Sequence, residues 1–235
     1  MSNYQSNPII VAIDKMNKQE AIETMKELGR SVFGYKISSL ILYEGHGIFN
    51  EIHEEVGSVN LFVDLILSGP AEKIRGEILP CLNPDVRFIS VNFTSGVKGI
   101  RAAVGASKIA KILVYSIDSS LSAMDIGFIF NTPFRYIQTF KAAKMVREAG
   151  AYGLYCAAHE LEFLSHPDFT EIRGMPIVAV GVRPKWFKDK GVHEFVMTPA
   201  EAMARGATKL VIGSPITKAR NKLKAVEKIM EEIKK

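Results

Sequence analysis

Short apolar runs rich in β-forming residues recur along the whole chain, and helically spaced segments lie between them. Regular alternation of strands and helices predicts a parallel sheet, because each helix returns the chain to the start of the next strand. Eight such units in 235 residues predict an α/β fold, the closed (β/α)8 TIM barrel; periodicity alone leaves a doubly wound open sheet as the alternative. The predicted strands are Ile9–Asp14, Phe33–Ser38, Asn60–Ile66, Arg87–Phe93, Ala110–Ile117, Tyr152–Ala157, Ile177–Gly181 and Leu210–Gly213.

Three of the intervening segments carry an apolar helical face or a clear boundary signal. Apolar residues three and four positions apart define the first two, and a capping residue followed by proline and an early acid opens the third. The predicted helices are Lys18–Leu28, Phe140–Ala149 ahead of Gly150, and the stretch that begins after Thr198.

No linker, low-complexity tract or charge block divides the chain, so residues 1–235 are predicted to form a single (β/α)8 domain. The segment Asp118–Pro133 is the one long stretch that reads as irregular. In a barrel it would follow the fifth strand and lie over the mouth. It is either a lid or an ordinary surface loop.

The composition limits the class of partner. The net charge of +5 and the pI of about 9.1 suit an anionic ligand or nucleic acid. The basic residues are spread along helices without a nucleic-acid motif, so neither nucleic acid nor a membrane is a predicted partner. No apolar run reaches the roughly 20 residues that span a bilayer, and the polar N-terminus lacks a secretory signal. With Cys81 and Cys156 as isolated thiols, a cytoplasmic protein is expected.

Four charged residues stand at the predicted carboxyl ends of strands, where a barrel places its active site. They are Asp14, Lys36, Asp64 and Arg183. A charge flanked by apolar strand residues is costly to bury alone, so two acids and a lysine on adjacent strands are expected to pair. The alternative is a purely structural ion-pair network.

An ordered set of motifs resembles the orotidine 5'-monophosphate decarboxylase family. The acids and the lysine of the first three strands match in order, and the later matches include a Gly-Ile-Arg-Pro run, a Thr-Pro run and a Gly-Arg-Pro-Ile-Thr run. The matching segments here are Asp14, Lys36, Asp64, Gly181-Val182-Arg183-Pro184, Thr198-Pro199-Ala200-Glu201-Ala202 and Gly213-Ser214-Pro215-Ile216-Thr217. The resemblance therefore runs from the first strand to the last helix.

The resemblance implies the site and the chemistry. Lys36 and Asp64 would be catalytic members of an alternating Lys-Asp-Lys-Asp array, and Asp14 would bind the ribose. The family is a homodimer whose partner subunit supplies the second acid. It converts orotidine 5'-monophosphate to uridine 5'-monophosphate, in pyrimidine nucleotide biosynthesis, without metal or organic cofactor.

The chain departs from the family pattern at two places. In the motif Asp-x-Lys-x-x-Asp the lysine is Ile66 and the second acid is Gly69. An isoleucine donates no proton, and Lys73, nine positions after Asp64, is too far along the chain to replace the lysine simply.

At the phosphate end, the family arginine is Ser214 and its glutamine is best matched by His193. Phosphate binding would then rest on those residues, on Arg183, and on backbone N–H groups of Gly181 and Gly213.

Three functions are therefore considered. The first is an orotidine 5'-phosphate decarboxylase-like carbon–carbon lyase that binds a phosphorylated, nucleotide-like small molecule as a homodimer. The second is a non-catalytic or regulatory barrel that binds a phosphorylated ligand. The third is a diverged sugar-phosphate lyase, although related enzymes of that kind use the same Asp-x-Lys-x-x-Asp motif with magnesium. The histidines form no metal-binding pattern, so no metal site is predicted.

Overall fold

Eight parallel strands close into a barrel in the order β1 to β8, with β8 paired to β1. The computed structural model describes residues 7–166, 172–189 and 196–234. The predicted (β/α)8 barrel is confirmed, and the open sheet is wrong because the edges of β1 and β8 pair with each other. The strands are β1 Ile9–Ala12, β2 Gly34–Ile37, β3 Asn60–Leu67, β4 Val86–Asn92, β5 Lys111–Tyr115, β6 Gly153–Ala157, β7 Ile177–Val180 and β8 Lys209–Ile212.

Helices follow the strands around the outside of the barrel. In the described part of the chain they are α1 Lys18–Leu28, α2 Ser39–Glu44, α3 Ile48–Val56, α4 Ala71–Ile78, α5 Gly96–Ala106, α6 Ala123–Phe130, α7 Arg135–Ala149, α8 Leu161–Leu164, α9 Pro199–Ala204, α10 Ser214–Thr217 and α11 Lys222–Lys234. None of these helices has the length and apolar character needed to cross a membrane.

Two sequence predictions about helices need correction. Helix α7 begins at Arg135, five residues before the predicted start. The prediction missed its first turns because they bury the polar side chains of Gln138 and Thr139 and so show no apolar spacing. The segment predicted to be irregular contains α6, which starts with a capping box between Ser122 and Asp125.

The apolar core has two layers, as expected for a barrel. Most buried side chains pack between the strands and the helices. A second cluster fills the barrel itself and is formed by Ile10, Phe62, Phe88, Leu113, Tyr115, Tyr155, Val178 and Val211. The inner cluster supports the polar residues at the carboxyl ends of the strands from below.

Candidate functional site

Asp14, Lys36 and Asp64 meet at the carboxyl ends of β1, β2 and β3. The Lys36 ammonium Nζ lies 2.6 Å from Oδ2 of Asp14 and 3.0 Å from Oδ2 of Asp64. Asp14 also accepts a 2.6 Å hydrogen bond at Oδ1 from the Ser38 hydroxyl. The sequence prediction that these side chains pair is confirmed, and we call the three residues the acid–lysine array.

Asp64 is held from three sides. Besides Lys36, its Oδ1 accepts a 2.8 Å hydrogen bond from the Ser90 hydroxyl, and its Oδ2 accepts a 3.0 Å bond from the Tyr155 hydroxyl. All of these side chains are buried. A buried carboxylate held by three donors has little freedom to turn.

Charge pairing keeps the lysine of the array protonated. Burial alone would lower the pKa of Lys36, but the carboxylates of Asp64 and Asp14 together raise it above its ordinary value. Burial, and next the charge of Asp64, raises the pKa of Tyr155 well above its usual range. At neutral pH Lys36 is therefore an ammonium and Tyr155 a neutral phenol.

Ile66 stands in an unusual backbone conformation beside the array. The β3–β4 pairing shifts register between Val63 and Leu67, and within this bulge Ile66 has φ of 47°. A β-branched residue with left-handed backbone is rare and costs about 1–3 kcal/mol. Its N–H donates to the Ser90 hydroxyl, and its side chain packs on the cluster inside the barrel. The position of the family lysine thus presents an alkyl group toward the barrel axis.

Gly69, the position of the family's second acid, also has positive φ, at 134°. A Cβ atom there would lie 3.0 Å from Cδ of Lys73. The Lys73 ammonium itself donates to the carbonyl of Ser68 and pairs with Glu77 at 2.6 Å. Lys73 is thus bound within its own loop and helix.

The ends of β7 and β8 lie side by side, because Ala179 pairs with Leu210. Gly181 and Gly213 follow these strands, and Ser214 begins the short helix α10. The next helix after Gly181 in the described ranges is α9, which begins at Pro199.

Arg183 was expected to bind phosphate, but its observed hydrogen-bond partners are backbone carbonyls. Its Nη1 donates to the carbonyl of Val182 and its Nε to the carbonyl of Asp189, and burial lowers its pKa. These contacts tie the β7 loop to itself. His193 lies outside the described residues.

Sequence reasoning missed the residues that orient the array, namely Ser38, Ser90 and Tyr155. Strand alternation was the available signal, because Ser90 and Tyr155 face inward on β4 and β6. Their types, serine and tyrosine, are common in barrel cores and carry no motif.

A second buried acid, Glu160, also went unnoticed. It follows β6, accepts hydrogen bonds from Ser116 and Thr139, and lies 3.5 Å from Arg135. Burial raises the pKa of Glu160 to about 7, although Thr139, Arg135 and Ser116 oppose the shift. Arg135 also donates to the carbonyls of Asp118 and Leu121, so this acid anchors the segment between β5 and α6.

Comparison with known proteins gives a consistent result. A profile of the "Orotidine 5'-phosphate decarboxylase / HUMPS family" matches residues 82–229. An orotidine 5'-phosphate decarboxylase of Gloeothece citriformis is 28% identical over 230 residues, which cover 96% of this chain and 97% of the relative. One from Paramagnetospirillum magneticum is 29% identical over 243 residues, covering 97% and 98% of the two chains.

Solved structures show the same architecture. The orotidine 5'-phosphate decarboxylase of Lactobacillus acidophilus superposes with a TM-score of 0.77 at 23% identity, covering 97% of this chain and all of the other. That of Pyrococcus horikoshii gives a TM-score of 0.75 at 20% identity, covering 97% and 99%. At these identities the superpositions establish the fold.

Proposed function

Because the chain belongs to the orotidine 5'-phosphate decarboxylase / HUMPS family, we propose that it is a decarboxylase-type barrel that binds a phosphorylated pyrimidine nucleotide and decarboxylates orotidine 5'-monophosphate slowly. The observation that carries this proposal is the acid–lysine array, whose three side chains are fixed in hydrogen-bonding contact at the barrel mouth. A preorganised set of charges is what electrostatic catalysis requires.

Each member of the array has a role in this proposal. Asp14 is the most exposed of the three, with 32% of its side chain accessible, and binds the ribose hydroxyl groups. Lys36 orients both acids and holds the ligand. Asp64, locked by Ser90 and Tyr155, places a fixed negative charge against the reacting part of the base.

Slow turnover follows from Ile66. Loss of carbon dioxide leaves a carbanion that must receive a proton. The alkyl group of Ile66 cannot supply one, so in this proposal the proton comes from solvent water. A positioned proton donor contributes typically 10²–10⁴-fold to a rate, so a loss of about this size relative to a family member with the lysine is expected.

The same proposal includes the cellular role, the oligomeric state and the location of the phosphate. The protein is a cytoplasmic enzyme of pyrimidine nucleotide biosynthesis and works as a homodimer. The phosphate monoester of the ligand lies between the loops at Gly181 and at Gly213–Ser214, because barrels commonly bind phosphate after their seventh and eighth strands. Neighbouring β7 and β8 support this location.

A non-catalytic binding barrel is the second candidate, and Ile66 is the observation that favours it. The diverged sugar-phosphate lyase is less well supported, because its relatives depend on magnesium. Lys36 bridges Asp14 and Asp64, which places a positive charge between the two carboxylates that would have to coordinate the cation. This charge pattern does not fit a magnesium ion.

A turnover assay on orotidine 5'-monophosphate, with uridine 5'-monophosphate detected by chromatography, tests the proposal. We expect slow formation that is lost in Lys36→Met and raised in Ile66→Lys. Adding Gly69→Asp should raise it further if the strained backbone at φ of 134° accepts the side chain. Family-level turnover of the unaltered protein would contradict the role given to Ile66. Nucleotide binding without any turnover would favour the non-catalytic candidate.

A further inference from the structure

The array carries more negative than positive charge. It contains two carboxylates and one ammonium, and that ammonium is within 3.0 Å of both acids. Among the described residues, no other cationic side chain pairs with Asp14 or Asp64. A ligand group placed against Asp64 therefore meets a site with a net charge of about −1 and no spare cation.

Asp64 cannot turn away from such a group. Ser90, Tyr155 and Lys36 hold its two oxygens from β4, β6 and β2. Turning would break hydrogen bonds inside a buried site, where each lost bond is costly. An anionic group would have to approach a fixed carboxylate in a region of low dielectric, where repulsion is poorly screened.

The surface around Asp64 is suited to an uncharged group. Ile66 presents its side chain to the cluster inside the barrel. A cavity of about 470 Å³ that Asp64 borders is lined by the apolar side chains of Leu65 and Leu67, and also by polar residues that include the acid Glu77. Apolar walls favour a flat, neutral ring over a charged substituent.

We propose that Ile66 is a specificity-determining residue that makes this mouth prefer a nucleotide monophosphate with an uncarboxylated base over its carboxylated counterpart. The inference rests on the proposed function, since it assumes that the mouth binds a pyrimidine nucleotide. It goes further by stating which of the two nucleotides is bound more tightly. Ile66 acts by withholding the positive charge that would balance a carboxylate beside Asp64.

The test is a pair of calorimetric titrations, with uridine 5'-monophosphate and with orotidine 5'-monophosphate, at equal pH and ionic strength. For the unaltered protein we expect a Kd at least about tenfold lower for the uncarboxylated nucleotide. Ile66→Lys should shift the ratio of the two Kd values by about tenfold toward the carboxylated nucleotide. Ile66→Met is the matched control: it removes the β-branch and adds no charge, so the ratio should stay as in the unaltered protein.

Salt dependence of the unaltered protein provides a test that needs no variant. If repulsion by the buried carboxylate of Asp64 causes the preference, raising ionic strength should change the ratio of the two Kd values only slightly, because salt screens buried charges much less than exposed ones. A ratio that collapses as salt is added would overturn the inference, since exposed charges would then be the cause. Equal affinity for both nucleotides would overturn this inference and leave the proposed function standing. If Ile66→Met shifted the ratio of the two Kd values as much as Ile66→Lys, the inference would also be overturned. Release of the backbone strain at this position, and not the added charge, would then be the cause. If neither nucleotide bound, the proposed function and this inference would both be overturned.

Discussion

The hydroxyl of Tyr155 donates a 3.0 Å hydrogen bond across the barrel to Oδ2 of Asp64, a residue 91 positions earlier in the chain. The Tyr155 ring contacts those of Phe62 and Tyr115, each at a centroid distance of 5.1 Å. Aromatic packing thus fixes the donor, and the donor fixes the acid. The orientation of Asp64 depends on β6 as much as on its own strand.

Tyr155→Phe should lower the free energy of unfolding by about 1–2 kcal/mol. The ring packing is kept, but Asp64 loses one of its donors while it remains buried, and removing one partner of a buried charged hydrogen bond costs about this much. Urea denaturation at neutral pH measures the change. Tyr43→Phe is the control, because the Tyr43 side chain is 81% exposed and removal of its hydroxyl should change the free energy of unfolding little. An equal effect of the two substitutions would argue against the bond to Asp64.

Lys36→Met should lower the free energy of unfolding by about 3 kcal/mol at neutral pH, because two partly or fully buried carboxylates lose their cation. At pH 4 the deficit should shrink, since the abandoned acids can then take up protons. Denaturation at both pH values tests this. Lys26→Met removes an exposed ion pair with Glu55 and is expected to have little effect at either pH. A deficit for Lys36→Met that does not depend on pH would point to lost packing as its cause.

Glu160→Gln should remove a pH dependence of stability. Burial raises the pKa of this carboxyl to about 7 in the folded state from an ordinary value of 4.5. A raised folded-state pKa means that the stabilisation is present at low pH and is lost as pH rises through 7. Between pH 5 and pH 8 the unaltered protein should therefore lose about 2–3 kcal/mol from this group.

The glutamine side chain of the variant keeps an acceptor for Ser116 and Thr139 but does not titrate. The free energy of unfolding of the variant should therefore not fall in this way between pH 5 and pH 8. Denaturation curves of both proteins at several pH values measure the difference. Parallel pH profiles would show that Glu160 does not titrate in this range.

Ser214→Arg should tighten the binding of a phosphate monoester. Ser214 follows β8, after Gly213. Arg183 donates to the carbonyls of Val182 and Asp189 and so does not offer its charge to a ligand in this conformation. An arginine at position 214 would supply that charge. Titration with uridine 5'-monophosphate and with inorganic phosphate measures the gain.

Ser165→Arg is the control for net charge, because Ser165 borders residues that precede β7 and β8, at the opposite end of the barrel. If neither ligand binds before or after Ser214→Arg, phosphate is not held between these loops.

Sequence reasoning located the barrel and the array because both depend on regular spacing. The apolar runs repeat eight times, and Asp14, Lys36 and Asp64 each lie at or near the carboxyl end of one of the first three predicted strands. Such patterns are local, and the closure of the barrel then brings the strand ends together. Helix boundaries were less predictable where polar side chains are buried, as at Gln138 and Thr139 in α7.

The orienting residues could not be predicted because they act through long-range contacts. Tyr155 and Ser90 carry no motif, and their importance lies in which acid they reach. The bonding of Arg183 to nearby carbonyls depends likewise on the path of the β7 loop. The strain at Ile66 comes from a bulge whose register is decided by pairing with β4.

The contacts of the acid–lysine array are expected to form at different stages of folding. Lys36 and Asp14 are only 22 residues apart in the chain, so the chain entropy lost in bringing them together is modest. The bond from Tyr155 to Asp64 spans 91 residues, and contacts of long sequence separation tend to form late during folding. We therefore expect the first three strands to reach their charged arrangement while the barrel is still open, with Asp64 turning into its final position only when β6 arrives.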